Sequence, residues 1–301
     1  MLFRQRRPIQ SGEPPQQEVA RITADLKALQ AQAGCEGTAP AAIGVCAPGP
    51  LDSGSGRILN PPNLPGWADV PICDWLTREF GCPVSLQNDA NAAALAEWHS
   101  EAAGEPSARH LIYLTMSTGI GAGLVLDGRI HSGRFDLAGE IGHSPVVWDG
   151  EPCPCGLRGC LETYIGGAAW TRRLRQSAPE SSRVVVLAGS RADVRPEHVV
   201  EAAKQGDAFA LAELEQFNEL LSRAIVQLTF TLSPDVVVLG TIATAAGDAL
   251  CLEPVRRKVR ARLWPRLAEG LTIRAASLGE ELPYRAGLCV AGTAGQGAPA
   301  R

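Results

Sequence analysis

Three observations predict an α/β sheet protein. Short apolar runs of strand length alternate with longer segments whose apolar residues recur at helical spacing. Several strands run into polar or glycine-rich loops, the usual place for ligand sites in such sheets. The chain has 301 residues, 45% hydrophobic and 20% charged, enough for one large or two medium soluble domains.

Each element has a local reason. Residues 16–32 carry apolar positions at helical spacing. AAIGVCAPG (41–49) is a short buried strand ending in a Pro-Gly turn. VPICDWLTREFG (70–81) is a helix closed by Gly81. PVSLQNDANAAALAEWHS (83–100) reads as strand, turn and Ala-rich helix, with Asn88 and Asp89 at the strand end. HLIYLTMSTGIGAGLVLDGRIH (110–131) reads as two strands joined by a glycine-rich turn. A long helix (211–232) precedes a third strand and turn, SPDVVVLGT (233–241). No low-complexity tract or fixed-period repeat appears.

Composition excludes several classes. A net charge of -4 argues against a nucleic-acid surface. MLFRQRRPIQ is basic but lacks the apolar core of a signal peptide. No apolar run reaches membrane-spanning length. The chain has nine cysteines. Cys35, Cys46, Cys73, Cys82, Cys251 and Cys289 are scattered and read as buried thiols in a reducing cytoplasm.

The remaining three cysteines lie in HSPVVWDGEPCPCGLRGCLE (143–162). His143, Cys153, Cys155 and Cys160 are the ligand set of a closed structural Zn²⁺ site, four N/S donors in a tetrahedron. Gly156 and Gly159 let the chain turn tightly between them. A disulfide or inert thiols are the alternatives. A Cys153–Cys155 bridge would be strained, since one intervening residue rarely allows the geometry.

Three further segments carry chemistry. In STGIGAG (117–123) small residues let backbone N–H groups converge on an anion, and Thr118 adds a hydroxyl; the alternative is a plain tight turn. It is neither a Walker A loop nor a Rossmann fingerprint. In QNDAN (87–91) a carboxylate beside two amides suits a proton acceptor for a substrate hydroxyl, and an Asx turn or N-cap is the alternative. In AGEIGH (138–143), Glu140 precedes His143, and Glu162 follows Cys160, so one rigid patch would hold both carboxylates.

Taken together and in this order, these segments resemble the ROK family of sugar kinases and repressors. APGPLD (47–52), PPNLPGW (61–67) and PDVVVLG (234–240) belong to the same resemblance. It implies a two-domain actin-like ATPase (ribonuclease H-like) fold with sugar and ATP in the cleft. The domains expected are 1–106 plus 286–301, and 107–285 with the zinc motif and nucleotide loops. It implies an ATP- and Mg²⁺-dependent hexose kinase, glucokinase-like, acting at the glucose 6-hydroxyl. Asp89 matches the catalytic base. Asn63, Asn88, Glu140, His143 and Glu162 match sugar ligands. Thr118, Gly119 and Gly121 match the phosphate loop, and Gly240 the adenosine loop. A homodimer or homotetramer is implied, with hexose and ATP as partners and neither membrane nor nucleic acid.

The sequence departs from the family pattern. Kinases of the family begin with an Asp-x-Gly-Gly-Thr phosphate hairpin, and no such motif occurs here. On that pattern Met1 falls after a hairpin of about 20–30 residues. One expectation is a misassigned start and an ordinary kinase. The other is a shortened paralogue, a sugar-binding or regulatory protein that turns over little and exposes a sheet edge. Ser117, Ala122 and Thr241 stand where the family usually has Gly. N-Acetylmannosamine kinase is a further alternative. A repressor would need a DNA-binding domain ahead of residue 16.

Overall fold

A computed structural model of the chain describes residues 3–9, 12–100 and 108–294. The chain divides into two compact units. Unit 1 comprises Met1–His99, Ser132–Ala138 and Leu278–Arg301; unit 2 comprises Ser100–His131 and Gly139–Ser277.

In unit 1, β1 (Ile43–Ala47) pairs in parallel with β4 (Val84–Asn88), Ile43 opposite Val84 and Ala47 opposite Asn88. A short antiparallel hairpin, β2 (Leu51–Asp52) with β3 (Arg57–Ile58), follows β1. α1 (Pro15–Gln32) and α2 (Ile72–Phe80) cover one core. Its buried side chains include Leu51, Ile58, Trp67, Leu76, Phe80 and Leu86. α2 ends where expected, because Gly81 takes a left-handed conformation (φ 64°) and its N–H caps Thr77.

α3 (Asp89–His99) starts directly at the end of β4. It is alanine-rich because α12 (Leu282–Gly292) lies close against it, with Ala92, Ala96, Ala286 and Val290 buried between them. Glu97, fully buried on α3, accepts the Leu278 N–H at 3.1 Å. α12 also lies on β1, so close that a Cβ at Gly44 would overlap the Gly287 carbonyl.

Unit 2 carries a five-stranded sheet among the described residues, in the order β7-β6-β5-β8-β9. β5 (Leu111–Met116) and β6 (Ile120–Leu126) are antiparallel, with Met116 opposite Ile120. β7 (Arg129–Ile130) extends that side. β8 (Val236–Leu239) and β9 (Thr272–Ala275) are parallel to β5. β8 is buried throughout, as expected of a central parallel strand. Between β7 and β8 run α4 (Leu161–Ile165), α5 (Gly167–Ser177), α6 (Arg183–Ala188), α7 (Pro196–Lys204) and α8 (Ala208–Leu232). Trp170 of α5 stacks on Phe217 of α8 with ring centroids 5.2 Å apart. α9 (Thr241–Gly247), α10 (Glu253–Arg260) and α11 (Pro265–Gly270) complete the unit. Among the described residues no helix is long and apolar enough to cross a membrane.

These divisions differ from the expected ones. The 106/107 boundary lies outside the described residues, as does most of the tail after Gly292. The C-terminal return begins at Leu278, not 286, because α12 packs as one piece on α3 and β1. Residues 132–138 belong to unit 1 because the Ser53 N–H and hydroxyl both donate to Asp136 at 2.8 Å. No local pattern announces that tie.

Gly44→Ala should push α12 off β1. Overpacking of this kind costs about 1–3 kcal/mol. Urea unfolding of the variant should show a lower midpoint with an unchanged slope.

Candidate functional site

The N/S cluster lies in unit 2, between β7 and α4. His143 ends a single helical turn, Ile141–His143, and Cys160 immediately precedes α4. Between them the chain doubles back, with Pro145 bridging to Cys160 and Pro152 to Arg158. The Leu157 carbonyl takes the Cys153 N–H at 2.8 Å. One ligand atom from each of His143, Cys153, Cys155 and Cys160 lies within 4.8 Å of the others. Cys153 Sγ is 3.6 Å from His143 Nδ1, and Cys155 Sγ is 3.7 Å from Cys160 Sγ. Metal–sulfur bonds of about 2.3 Å at tetrahedral angles require S···S near ~3.8 Å and S···N near ~3.6 Å. The cluster is therefore already sized for a four-coordinate ion, and 3.7 Å rules out a disulfide bond there. All nine thiols are free. Burial opposes ionisation of Cys153, but the Cys155 N–H and neighbouring side chains outweigh it and lower its thiol to about 6. A donor set with one thiol ready to ionise suits a metal.

Glu140 and Glu162 flank this cluster. Glu140 caps the turn that carries His143. That turn lies flat on β6: the Ala122 N–H donates to the Gly139 carbonyl at 2.8 Å, and a Cβ at Gly142 would strike the Ile120 carbonyl. Only glycine allows that approach. Glu162, half-buried on α4, accepts the Ile120 N–H at 2.7 Å through Oε2.

Ser117–Gly119 form the turn between β5 and β6; Gly121 lies beyond it, in the ladder opposite Thr115. The Ser117 N–H is occupied by the Gly119 carbonyl at 3.0 Å. The N–H groups of Thr118 and Gly119 have no partner among the described residues. The converging donors thus reduce to two N–H groups and the Thr118 hydroxyl. Beside them lies a pocket of about 480 Å³, lined by Ser117, Thr118, Gly167, Ala168, Arg195, Glu197 and Thr241, among others. Its walls come from the starts of α5, α7 and α9 and the end of β5.

Gly240 caps α9 and leaves no room for a Cβ beside the Tyr113 hydroxyl. Thr241 is held at φ 46°, which a β-branched residue rarely adopts. Its Oγ1 accepts the Met116 N–H at 2.9 Å and donates to the Met116 carbonyl. The hydroxyl thus ties the ends of β5 and β8 where glycine would leave them untied.

Asn63, Asn88 and Asp89 lie in unit 1. Asn63 is exposed on a tight loop whose Leu64 N–H caps the Pro61 carbonyl at 2.9 Å. Asn88, not Asp89, is the cap of α3: its Oδ1 accepts from Ala90 N–H at 2.9 Å and from Asn91 N–H at 3.3 Å. Asp89 Oδ1 accepts from Ala90 N–H at 2.8 Å, and Oδ2 has no partner among the described residues. Asp89 reaches solvent, yet crowding by protein raises its pKa above the ordinary carboxylate value, against the pull of the Ala90 and Asp89 N–H groups.

The family model ROK matches residues 3–289, and the chain belongs to that family. It is 36% identical over 242 residues to a glucokinase of Thermotoga maritima, covering 79% of this chain and 75% of the relative. Among solved structures, a ROK hexokinase from Thermus thermophilus matches with TM-score 0.76 and 34% identity, over 95% of this chain and 87% of that one. A ROK family glucokinase from Streptomyces griseus, in complex with glucose and AMPPNP, matches with TM-score 0.72 and 29% identity, over 94% and 89%. The fold is accordingly the actin-like ATPase fold of sugar kinases.

Sequence reasoning missed the pocket walls. Gly167, Ala168 and the 195–197 segment sit far from the turn in sequence, and Pro196 marks only a helix start. The expectation of buried thiols fails for Cys35 and Cys46, which are exposed, and Cys289, which is half-buried. Cys46 sits near Asp89; the residue reaches solvent, yet protein crowded around its thiol, then that carboxylate, push it up to about 12, too high for a nucleophile.

Proposed function

We propose that this chain is an ATP-dependent hexose kinase that transfers the γ-phosphoryl group of ATP to the 6-hydroxyl of glucose. The observation that carries this reading is Asp89. Because Asn88 caps α3, the Asp89 carboxylate keeps one oxygen unpaired at the strand end. That oxygen takes the proton from the sugar hydroxyl while the hydroxyl oxygen bonds to the γ-phosphorus. The bond from phosphorus to the β,γ-bridging oxygen breaks, and ADP leaves. The glucokinase and hexokinase relatives support the same chemistry.

Asn63, Asn88, Glu140, His143 and Glu162 are the proposed hydroxyl ligands. Amides and carboxylates suit a polyol, whose hydroxyls both donate and accept. With Nδ1 turned toward the thiols, His143 keeps Nε2 for the acceptor side. Thr118 and Gly119 hold phosphate and Gly121 lies behind them in the strand. Gly240 borders the adenosine end, where the pocket of about 480 Å³ has room for a nucleoside. Mg²⁺ arrives with ATP. His143, Cys153, Cys155 and Cys160 would hold a structural Zn²⁺, whose role is to fix the loop rather than to react.

Three outcomes test this. Asp89→Asn should lower kcat by about 10²–10⁴-fold and leave the glucose KM nearly unchanged; a variant that turns over at the parent rate removes Asp89 as base. Because the base must be ionised and its pKa is raised, kcat/KM should fall as pH drops through a value above the ordinary carboxylate range. The purified protein should also contain one zinc per chain, and a chelator should lower its Tm. Metal analysis well below one equivalent, with Tm indifferent to chelator, contradicts the zinc assignment.

A further inference from the structure

The segment 160–168 begins at a thiol of the N/S cluster and grips the phosphate turn at three points. Gly167 N–H donates to the Ser117 carbonyl at 2.9 Å, and Ala168 N–H to the Thr118 carbonyl at 2.9 Å. Ile120 N–H donates to Glu162 Oε2 at 2.7 Å. The first two bonds run between backbones and tolerate any side chain. The third hangs on one carboxylate. Gly119 exists to admit it, since a Cβ there would overlap the same Oε2. Oε1 of Glu162 has no partner among the described residues.

We infer that Glu162 is a positioning residue for the phosphoryl donor as well as a ligand of the acceptor. Oε2 holds Ile120, and with it the turn whose Ser117 and Thr118 line the donor pocket. Oε1 remains for a sugar hydroxyl. One side chain thereby couples the two substrates, and the inference rests on the kinase reading above.

The carboxylate has two opposed effects on donor binding. Its charge repels phosphate. Its hydrogen bond holds the shape of the turn. Water and salt screen the repulsion, because Thr118 is exposed. Nothing replaces the bond, because Ile120 is buried and its N–H has no other acceptor among the described residues. Positioning therefore wins, and removal of the side chain weakens the donor.

The test is calorimetric titration of the full, metal-loaded chain with Mg-AMPPNP, without hexose. Glu162→Ala should weaken binding about tenfold or more, and Glu162→Gln, which keeps an acceptor oxygen, should stay within about threefold. Glu162→Ala binding Mg-AMPPNP as tightly as the parent, or more tightly, overturns the inference. If Glu162→Ala does not fold, Glu162→Asp, too short to reach the Ile120 N–H, should show the same loss with the charge kept; unchanged affinity there also overturns it. A parent chain that binds glucose but no Mg-AMPPNP overturns the donor-site reading, and the inference with it.

Discussion

Four ligand atoms within 4.8 Å of one another gather along the loop from His143 to Cys160, and an ion held by them would close that loop and steady most of the candidate site in unit 2. Without a cross-link, a loop with six glycines and prolines between its ends has many conformations to lose. Closing it would fix both of its neighbours. On one side, the turn 140–143 is pressed on β6 through Gly139 and Gly142. On the other, α4 starts at Cys160 and presents Glu162 to Ile120. The polar side chains are thereby placed by rigid elements rather than by their own weak contacts, which is what precise positioning requires.

In unit 1 the corresponding constraint is the junction of β4 and α3. The helix begins with no linker after the strand, so its free N–H groups need an acceptor at once. Asn88 supplies it, so the adjacent carboxylate commits only Oδ1, to the Ala90 N–H, and keeps Oδ2 open. A carboxylate that is accessible, crowded and only partly hydrogen-bonded has a raised pKa, and so is a stronger base than an ordinary carboxylate. Raised basicity costs stability as pH rises through that pKa, because the folded state prefers the protonated form.

Much of this was legible in the sequence because its signals are local. The Cys-x-Cys spacing with glycines, the stop at Gly81 and the strand end at Asn88–Asp89 all appear as short patterns. What stayed hidden depends on long-range contact. The Asn-Asp pair did not say which residue would cap; the direction of the side chains at the strand end decided that. The start of α5 became part of the phosphate turn because Gly167 and Ala168 donate to Ser117 and Thr118, some fifty positions apart in chain order. Residues 132–138 went to unit 1 through Asp136, which takes two bonds from Ser53, and Ser132, which takes one from Gln87. Thr241 looked like an intrusion on a glycine position, whereas its hydroxyl ties β5 to β8.

The claim that loop closure governs the phosphate turn can be read directly by hydrogen exchange on the metal-loaded and chelated protein. The account predicts faster exchange in 138–168 and also in 116–121 after metal removal, with β1 and β4 unchanged. Faster exchange in 138–168 alone, with 116–121 as protected as before, would contradict it.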